Sequence, residues 1–425
     1  MSNIAVIGTG YVGLTTGAYL AHLGHSVVCG DVDEDKVARL QKGDVPILED
    51  GLPELVAEGI ENGRLSFVVG AAEAVTAAEA EFVFLCVPTP QAEDGSADLS
   101  YIEDAARSIG PVLEPETVVI NKSTVPVGST LVVERALGRG NVAVVSNPEF
   151  LREGSAVHDC LHPDRIVIGS EDQAAAIRVA SLFSAINAPV IVTDPASAET
   201  IKYASNAFLA TKLSFVNAIA NLCEAVGADV RDVVVGMGYD GRIGFEFLKP
   251  GPGWGGSCFP KDSRALIRIG EDNGYDFSLL RGVIEVNEEQ FERIAGKIIR
   301  HAGGSVDGKT IAVWGLTFKA RTDDLRQSPS LEVIARLNAK GAKVRAYDPA
   351  IHHDVEGVEV CADPYAAAEG AEVLAVLTEW DEFRWADFEK VSGVMASPRI
   401  VDGRNLLDQA AVRRHGFIYE ALGRP

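Results

Sequence analysis

The chain has no surplus of positive charge: 38 Lys and Arg stand against 61 Asp and Glu in 425 residues, a net charge of −23. Phosphate backbones are bound by a Lys/Arg surplus, so nucleic acid is excluded as a partner. An anionic ligand must be captured by local Arg, Lys and backbone N–H groups against the overall field. No run approaches about 20 apolar residues, so no membrane span is expected. The segment Met1–Gly10 has neither a basic leader nor a cleavage site, and Gly8 interrupts its apolar run. Cys29, Cys86, Cys160, Cys223, Cys258 and Cys361 are scattered without a Cys-x-x-Cys pair, which excludes a disulfide framework and a zinc ligand set. The expected location is the cytoplasm. With 47% hydrophobic and 23% charged residues the composition is that of an ordinary globular protein, long enough for roughly three domains.

What is present is alternation. Ile4–Ile7 and Val27–Asp31 read as buried parallel strands, with a helical pattern between them that Gly24 closes. Further short apolar runs at Phe82–Val87, Thr117–Asn121, Val142–Ser146 and Arg165–Ile168 are separated by Ala- and Glu-rich helical stretches. This predicts a doubly wound parallel sheet. From Ala198 to Val226 a helical pattern runs without Gly or Pro. Ile201, Ala204, Phe208, Leu213, Val216, Ile219, Ala220 and Leu222 recur at spacings that predict a buried stripe, on a spine joining two domains and offering a dimer contact. Ile311–Gly315, Leu337–Gly341 and Asp348 then repeat the opening without its glycine fingerprint, and Gly303-Gly304 reads as a linker end. The fold class expected is α/β: two Rossmann-like doubly wound domains joined by a long central helix. The expected boundaries are 1–197, 198–302 and 303–425.

Gly8-Thr9-Gly10-Tyr11-Val12-Gly13 follows a strand and opens a helix, and Asp31 ends the next strand. That context is the dinucleotide fingerprint: glycines for a tight turn and close backbone approach, a helix N-terminus for the pyrophosphate, a carboxylate for the ribose. Asp31 would repel a 2′-phosphate, so NAD is expected rather than NADP.

Gly251–Asp262 holds four glycines within six residues and leaves Cys258 at its exit, beside Lys261. The glycines are expected to let backbone approach a ligand. A thiol nucleophile needs nearby positive charge or helix-end N–H groups. Lys202 and Asn206, at i and i+4 on the spine, share a face. The segments Asn121–Gly128 and Ser146–Gly154 follow strand ends, where ligands bind in open α/β sheets. His158, Cys160 and His162 lie close in sequence, but one soft and two borderline ligands without a fourth do not make a metal site, and no metal is expected.

In the order of these motifs the chain resembles the UDP-glucose/GDP-mannose dehydrogenase family over nearly its whole length. The match rests on Gly8–Gly13, Lys122–Pro126, Asn147–Leu151, Lys202 with Asn206, Gly255–Asp262, Gly315–Lys319 and Asp402–Arg404. Its Cys-Phe-Pro-Lys-Asp form is similar to members acting on UDP-glucose, whereas GDP-mannose enzymes tend to carry Cys-Leu-Pro-Lys-Asp and N-acetylhexosamine enzymes Gly-Gly-His-Cys-Ile-Pro. Trp254 stands where Phe or Tyr is more usual.

The resemblance implies oxidation of the sugar C6 alcohol to a carboxylate with NAD used twice. Cys258 would be the nucleophile, Lys202 a base or stabiliser at the C6 oxygen, and Asn206 a donor to that oxygen. Asp262 with Thr124 would position a water, and Glu149 would activate the hydrolytic water. Glu149, Phe150, Leu151, Arg152, Lys202, Asn206, Phe247, Leu248, Lys249, Gly253, Cys258, Phe318, Lys319 and Arg404 would contact the UDP-sugar. Arg242 would reach it from a neighbouring subunit, which makes a homodimer or larger homo-oligomer the expected form. Gly8, Gly10, Tyr11, Val12, Gly13, Asp31, Lys36, Thr89, Thr124, Glu153, Lys261 and Arg326 would hold NAD. The formal base stays open between Lys202, Asp262 and a water. Rival readings are the same chemistry on GDP-mannose or a UDP-N-acetylhexosamine, a two-electron hydroxy-acid dehydrogenase, and a non-catalytic NAD-binding protein.

Overall fold

The computed structural model describes residues 1–90 and 97–425. The chain divides into two compact units, Met1–Ser205 with Arg264–Asn273, and Asn206–Ser263 with Gly274–Pro425.

The first unit is built on eight strands: β1 (Asn3–Ile7), β2 (Ser26–Asp31), β3 (Leu65–Val69), β4 (Phe82–Leu85), β5 (Val118–Asn121), β6 (Ala143–Ser146), β7 (Ile166–Gly169) and β8 (Val190–Thr193). Their order is β3-β2-β1-β4-β5-β6-β7-β8. The strands are apolar on both sides because helices cover both faces. In β1, Ile4 and Val6 enter one core cluster while Ala5 and Ile7 enter the other, and Phe82/Phe84 and Val83/Leu85 of β4 divide the same way.

The expectation of a wholly parallel sheet needs one correction. β6 and β7 pair antiparallel through Ser146 and Gly169. The connecting segment does not cross back over the sheet: Gly154 and Ala156 donate to Glu49, and Gly154 also to the Tyr11 hydroxyl, just past the carboxyl end of β1. The chain therefore re-enters the sheet from the edge it left. Strands β3 and β8 were not expected either; both are short edge strands, and Val190, Ile191 and Val192 are exposed.

The second unit repeats the winding with β9 (Thr310–Trp314), β10 (Lys343–Tyr347), β11 (Glu359–Val360), β12 (Val373–Val376), β13 (Arg399–Asp402) and β14 (Ile418–Ala421). Their order, β11-β10-β9-β12-β13-β14, is that of the first six strands. Again β1's counterpart alternates: Ile311 and Val313 face one cluster, Ala312 and Trp314 the other.

The helix Pro195–Val226 passes from the first unit to the second, and Gly227 at φ +74° follows it. Its buried face matches the expected stripe only in part. Val216 and Ala220 are buried as expected, together with Tyr203, Ala207 and Ala210, but Lys202, Asn206, Ser214 and Asn217 share that face, while Phe208, Phe215, Leu222 and Val226 are 51–67% exposed. Three members of the expected apolar stripe, Ala204, Phe208 and Leu222, lie outside. No helix among the described residues is long and apolar enough to cross a membrane.

Candidate active site

In the first sheet the strand order reverses between β1 and β4, the point at which open α/β sheets bind ligands. The fingerprint lies there, and its glycines do three different things. Gly8 sits at φ +94°, and a Cβ on it would lie 2.7 Å from the Cys86 carbonyl oxygen. A Cβ at Gly13 would lie 1.9 Å from the Gly8 oxygen, so this glycine lets the helix close on the strand. A Cβ at Gly10 would meet nothing within 4 Å. Gly10 also caps the helix Tyr11–His22 without a side-chain hydrogen bond. Open space beside orphan N–H groups at the positive end of a twelve-residue helix fits a dinucleotide pyrophosphate. Val12 packs against the apolar core.

Asp31 ends β2 and accepts from the Thr9 N–H (2.8 Å) and hydroxyl (2.6 Å), the Asp33 N–H (3.1 Å) and Lys36 Nζ (3.2 Å). Burial pushes its pKa up, but the Thr9, Asp33 and Lys36 donors more than offset this and hold the carboxyl below its ordinary value. Thr89 donates to the Thr124 carbonyl at 2.8 Å, tying the ends of two neighbouring strands. The Tyr11 hydroxyl is tied to Glu49; burial and the Glu49 carboxylate push this phenol far up, and the charge of Glu153 adds to the shift. Glu49 had no recognisable signal in the sequence, because its three partners, Tyr11, Gly154 and Ala156, are remote from it along the chain.

Past the ends of β5 and β6 lies a buried charged cluster. Lys202 Nζ donates to both the Glu149 carboxylate and its carbonyl at 2.7 Å, and Leu151 N–H donates to the same carboxylate at 2.6 Å. Burial pushes the Glu149 pKa up, yet Lys202 and Leu151 overcome it and hold the carboxyl below its usual range. Lys122 is also buried, donating to Asn147 Oδ1 at 3.2 Å, while Asn147 Nδ2 donates to the Val167 carbonyl at 2.8 Å. Desolvation lowers the Lys122 pKa. The Phe150 ring lies under the Arg165 guanidinium at 3.7 Å. Arg165 was absent from the expected set. Arg152 is chelated by Asp159 at 2.6 Å. Cys160 is buried in the apolar core, its thiol pushed up to about 12 by burial, while His158 and His162 are exposed and pack ring to ring at 5.0 Å.

In the second unit the glycine loop ends at Cys258, whose carbonyl accepts the Asp262 N–H at 2.8 Å. Cys258 therefore stands at the cap of the helix Phe259–Asp272, where N–H groups favour a thiolate. It is half-buried, whereas Cys29, Cys86, Cys160 and Cys223 are buried. Ser257 Oγ lies 3.6 Å from its sulfur. Asn206 Nδ2 donates to Asp262 Oδ2 at 2.6 Å, and Lys261 Nζ lies 3.4 Å from Asp262 Oδ1.

Packing within the protein requires three of the loop glycines. A Cβ at Gly253 would strike Phe291 at 2.3 Å, one at Gly255 the Gln327 carbonyl at 1.9 Å, and one at Gly256 Phe318 at 2.9 Å. Buried polar groups fix the loop. Trp254 N–H donates to Asn287 and its indole to Ser214, both at 2.8 Å; Gly251 N–H donates to Asn217 at 2.8 Å and its carbonyl accepts from Gln290 at 2.9 Å. These four side chains form two i,i+3 pairs on helices, a polar periodicity that the sequence does display.

Arg404 donates to the Leu377 and Phe318 carbonyls at 2.8 and 3.0 Å, and Lys319 Nζ lies 5.4 Å from the Phe318 ring. Phe247, at φ +60°, packs edge-on to Phe259 at 6.2 Å; Leu248 is buried and Lys249 exposed. Arg326 is chelated by Asp324 at 2.8 Å, and its carbonyl accepts the Gly256 N–H. Arg242 is 89% exposed and, among the described residues, held only by Asp240 at 2.6 Å.

The repeated turn has a different ending. Gly315, like Gly8, lies at φ +94°, and Thr317 donates twice to Asp348 as Thr9 does to Asp31. Asp348 is fully buried, and Leu316 N–H, Ala350 N–H and the Trp380 indole also donate to it.

Sequence comparison matches residues 2–187 to the NAD binding domain of the UDP-glucose/GDP-mannose dehydrogenase family, 196–289 to its central domain and 312–409 to its UDP binding domain. The chain is 47% identical over 435 residues to UDP-glucose 6-dehydrogenase TuaD of Bacillus subtilis, covering 100% of this chain and 94% of that one. It is 46% identical over 436 residues to UDP-glucose 6-dehydrogenase of Rhizobium meliloti, covering 99% of each. Among solved structures it is similar to a UDP-glucose dehydrogenase from the archaeon Pyrobaculum islandicum, with a TM-score of 0.91 at 39% identity over 100% of this chain and 98% of that one.

Proposed function

The chain belongs to the UDP-glucose/GDP-mannose dehydrogenase family, and on that premise we propose that it oxidises the C6 alcohol of UDP-glucose to the carboxylate of UDP-glucuronate. The division of labour we propose follows the chain: 1–197 hold NAD, 198–302 carry the long helix and the cysteine loop, and 303–425 hold UDP. Gly8, Gly10, Gly13 and the helix end would hold the NAD pyrophosphate, and Asp31 the ribose. NAD, when bound, serves as the two-electron acceptor of each oxidation.

The chain's own groups supply the rest. Lys202, ion-paired with Glu149 at 2.7 Å, would stabilise the developing C6 oxyanion, and the alcohol proton would pass to water as the hydride leaves. Asn206 donates to the same oxygen. After the first oxidation the Cys258 thiolate attacks the aldehyde carbon, and the oxygen takes up a proton to give a thiohemiacetal. That carbon again carries a hydrogen that can leave as hydride, and its loss gives a thioester. Water, which Glu149 would activate, adds to the thioester; the carbon–sulfur bond breaks and the thiol is restored. Overall one alcohol and one water yield one carboxylate, two reduced cofactors and three protons.

The carrying observation is the half-buried thiol of Cys258 at the cap of the helix Phe259–Asp272. A two-electron dehydrogenase has no use for it. The test is the yield of NADH per UDP-glucose with the mass of the product. Two NADH and the acid are expected, with acid formation abolished in Cys258→Ala at unchanged far-UV circular dichroism. One NADH per sugar, or undiminished acid from the variant, refutes the covalent route; preference for GDP-mannose or a UDP-N-acetylhexosamine in a substrate panel refutes the sugar assignment.

The exposed apolar residues Phe208, Phe215, Leu222 and Val226 on the long helix support a homodimer. Arg242, solvent-facing and uncommitted beyond Asp240, would serve the neighbouring subunit's substrate. Six free thiols suit the cytoplasm, where we place the reaction.

A further inference from the structure

We propose that the second unit carries an additional anion site, distinct from the residues assigned to UDP and NAD, which takes a small molecule bearing two linked phosphates. The site is a cleft of about 680 Å³ lined by Arg231, Arg384, Arg413 and Arg424, with Leu406 and Leu407 among its apolar residues. Four arginines converge there in a chain whose acidic residues outnumber its basic ones by 61 to 38. The one lining carboxylate, Asp408, is engaged by the Ala410 and Ala411 N–H groups at 2.9 and 3.0 Å.

Arg424 is the anchor. Its side chain is 8% exposed, and its Nε is buried without a hydrogen-bond partner among the described residues. The nearby Asp229 Oδ2 lies 3.9 Å away, beyond hydrogen-bond reach. A guanidinium N–H left in this state is costly unless a ligand oxygen completes it. Among the described residues Arg413 makes only a 3.5 Å contact, with the Tyr419 carbonyl. Arg231 is engaged by Asp229 at 2.7 Å, and Arg384 by Asp381 at 3.2 Å and by the Leu406 carbonyl at 2.8 Å. Several guanidinium forks around one cleft match the oxygens of linked phosphates, and the volume is nucleotide-sized rather than that of a single phosphate.

The cleft diverges from the UDP residues at one peptide. Arg404 turns to the Phe318 and Leu377 carbonyls, whereas Asn405, in the left-handed region at φ +51°, turns to Leu422, donating to its carbonyl and accepting its N–H, both at 2.9 Å. The cleft is therefore lined by the segment that follows Arg404, from Asn405 to Arg413, and by Arg424 near the C-terminus, not by Arg404 itself.

The test is titration calorimetry on the full chain, wild type against variant, with inorganic pyrophosphate in one arm and ADP in the other; UDP and NAD, which themselves carry two linked phosphates, are left out. In each arm a binding event is expected that weakens tenfold or more in Arg424→Gln and in Arg413→Gln. Equal affinities assign the site to the phosphates alone, and tighter binding of ADP places a nucleoside on the leucine wall. Because Arg424→Gln removes a buried group, the exposed Arg413→Gln, with unchanged melting temperature and UDP affinity, decides the matter. Binding of neither probe, or the same affinity in wild type and Arg413→Gln, overturns the proposal.

Discussion

Replacing Lys202 with Met would leave the Glu149 carboxylate buried without its ammonium partner. The two side chains are 4% and 6% exposed and 2.7 Å apart, so solvent screens them little. Breaking such a pair from one side costs about 3–5 kcal/mol, a large share of the roughly 5–15 kcal/mol typical of a folded domain. The cost depends on pH with a definite sign. In the wild type the Glu149 pKa is held below its unfolded value, so its contribution is fully present above about pH 4.3 and is lost as pH falls through the lower folded value. In Lys202→Met burial prevails, the folded pKa rises above the unfolded one, and the penalty is full only above that raised value. The gap between variant and wild type should therefore narrow on acidification from pH 7 towards 4. Urea unfolding followed by far-UV circular dichroism measures it. All four tryptophans, Trp254, Trp314, Trp380 and Trp385, lie in the second unit, so their fluorescence provides an internal control that should shift less. The double variant Lys202→Met/Glu149→Leu should regain most of the loss. A penalty below about 1 kcal/mol, or one independent of pH, would refute the argument.

The fingerprint glycines should separate binding from folding. Gly10→Ala is expected to fold normally and bind NAD at least tenfold more weakly, while Gly13→Ala should lower the melting temperature; equal behaviour of the two in calorimetry and thermal melts contradicts their assigned roles. Asp31→Ala, which removes the carboxylate expected to accept the ribose, should raise the Kd for NAD about 10–100-fold by titration, in keeping with roughly 1.5–3 kcal/mol for a hydrogen bond to a charged group. Arg242→Ala should change stability by less than about 0.5 kcal/mol while raising KM for UDP-glucose more than the Kd for NAD. Matched losses in both would remove its substrate role.

Sequence carried the winding of both sheets because each buried strand is a short apolar run between helical stretches, and that pattern is local. It carried the fingerprint because the Gly8-x-Gly10-x-x-Gly13 spacing is local to one strand–turn–helix, with Gly13 closing on Gly8, although the close approach at Gly8 itself is to Cys86 of a remote strand end. It failed on the face of the long helix, where Lys202, Asn206, Ser214 and Asn217 are inside and Phe208 and Leu222 outside. An amphipathic rule assumes that the inner face is apolar, and here hydrogen-bonding groups share it with Tyr203, Ala207, Val216 and Ala220. The reversal at β7 was hidden because it depends on Tyr11 and Glu49 gripping a loop more than 100 residues away. The glycines before Cys258 were visible, but their reason was not, since Phe291, Gln327 and Phe318 come from distant elements.

The buried Asp348 bears on the timing of the reaction proposed above. Its position in the repeat is the one proposed to meet the ribose in the first sheet, but Asp348 is fully buried and engaged by an indole and four other donors, so among the described residues the repeat offers no second berth of this kind. Two rounds of electron removal must then share a single socket, emptied and refilled midway. During that interval a free aldehyde would drift into solvent or hydrate. A substrate moored through sulfur would wait.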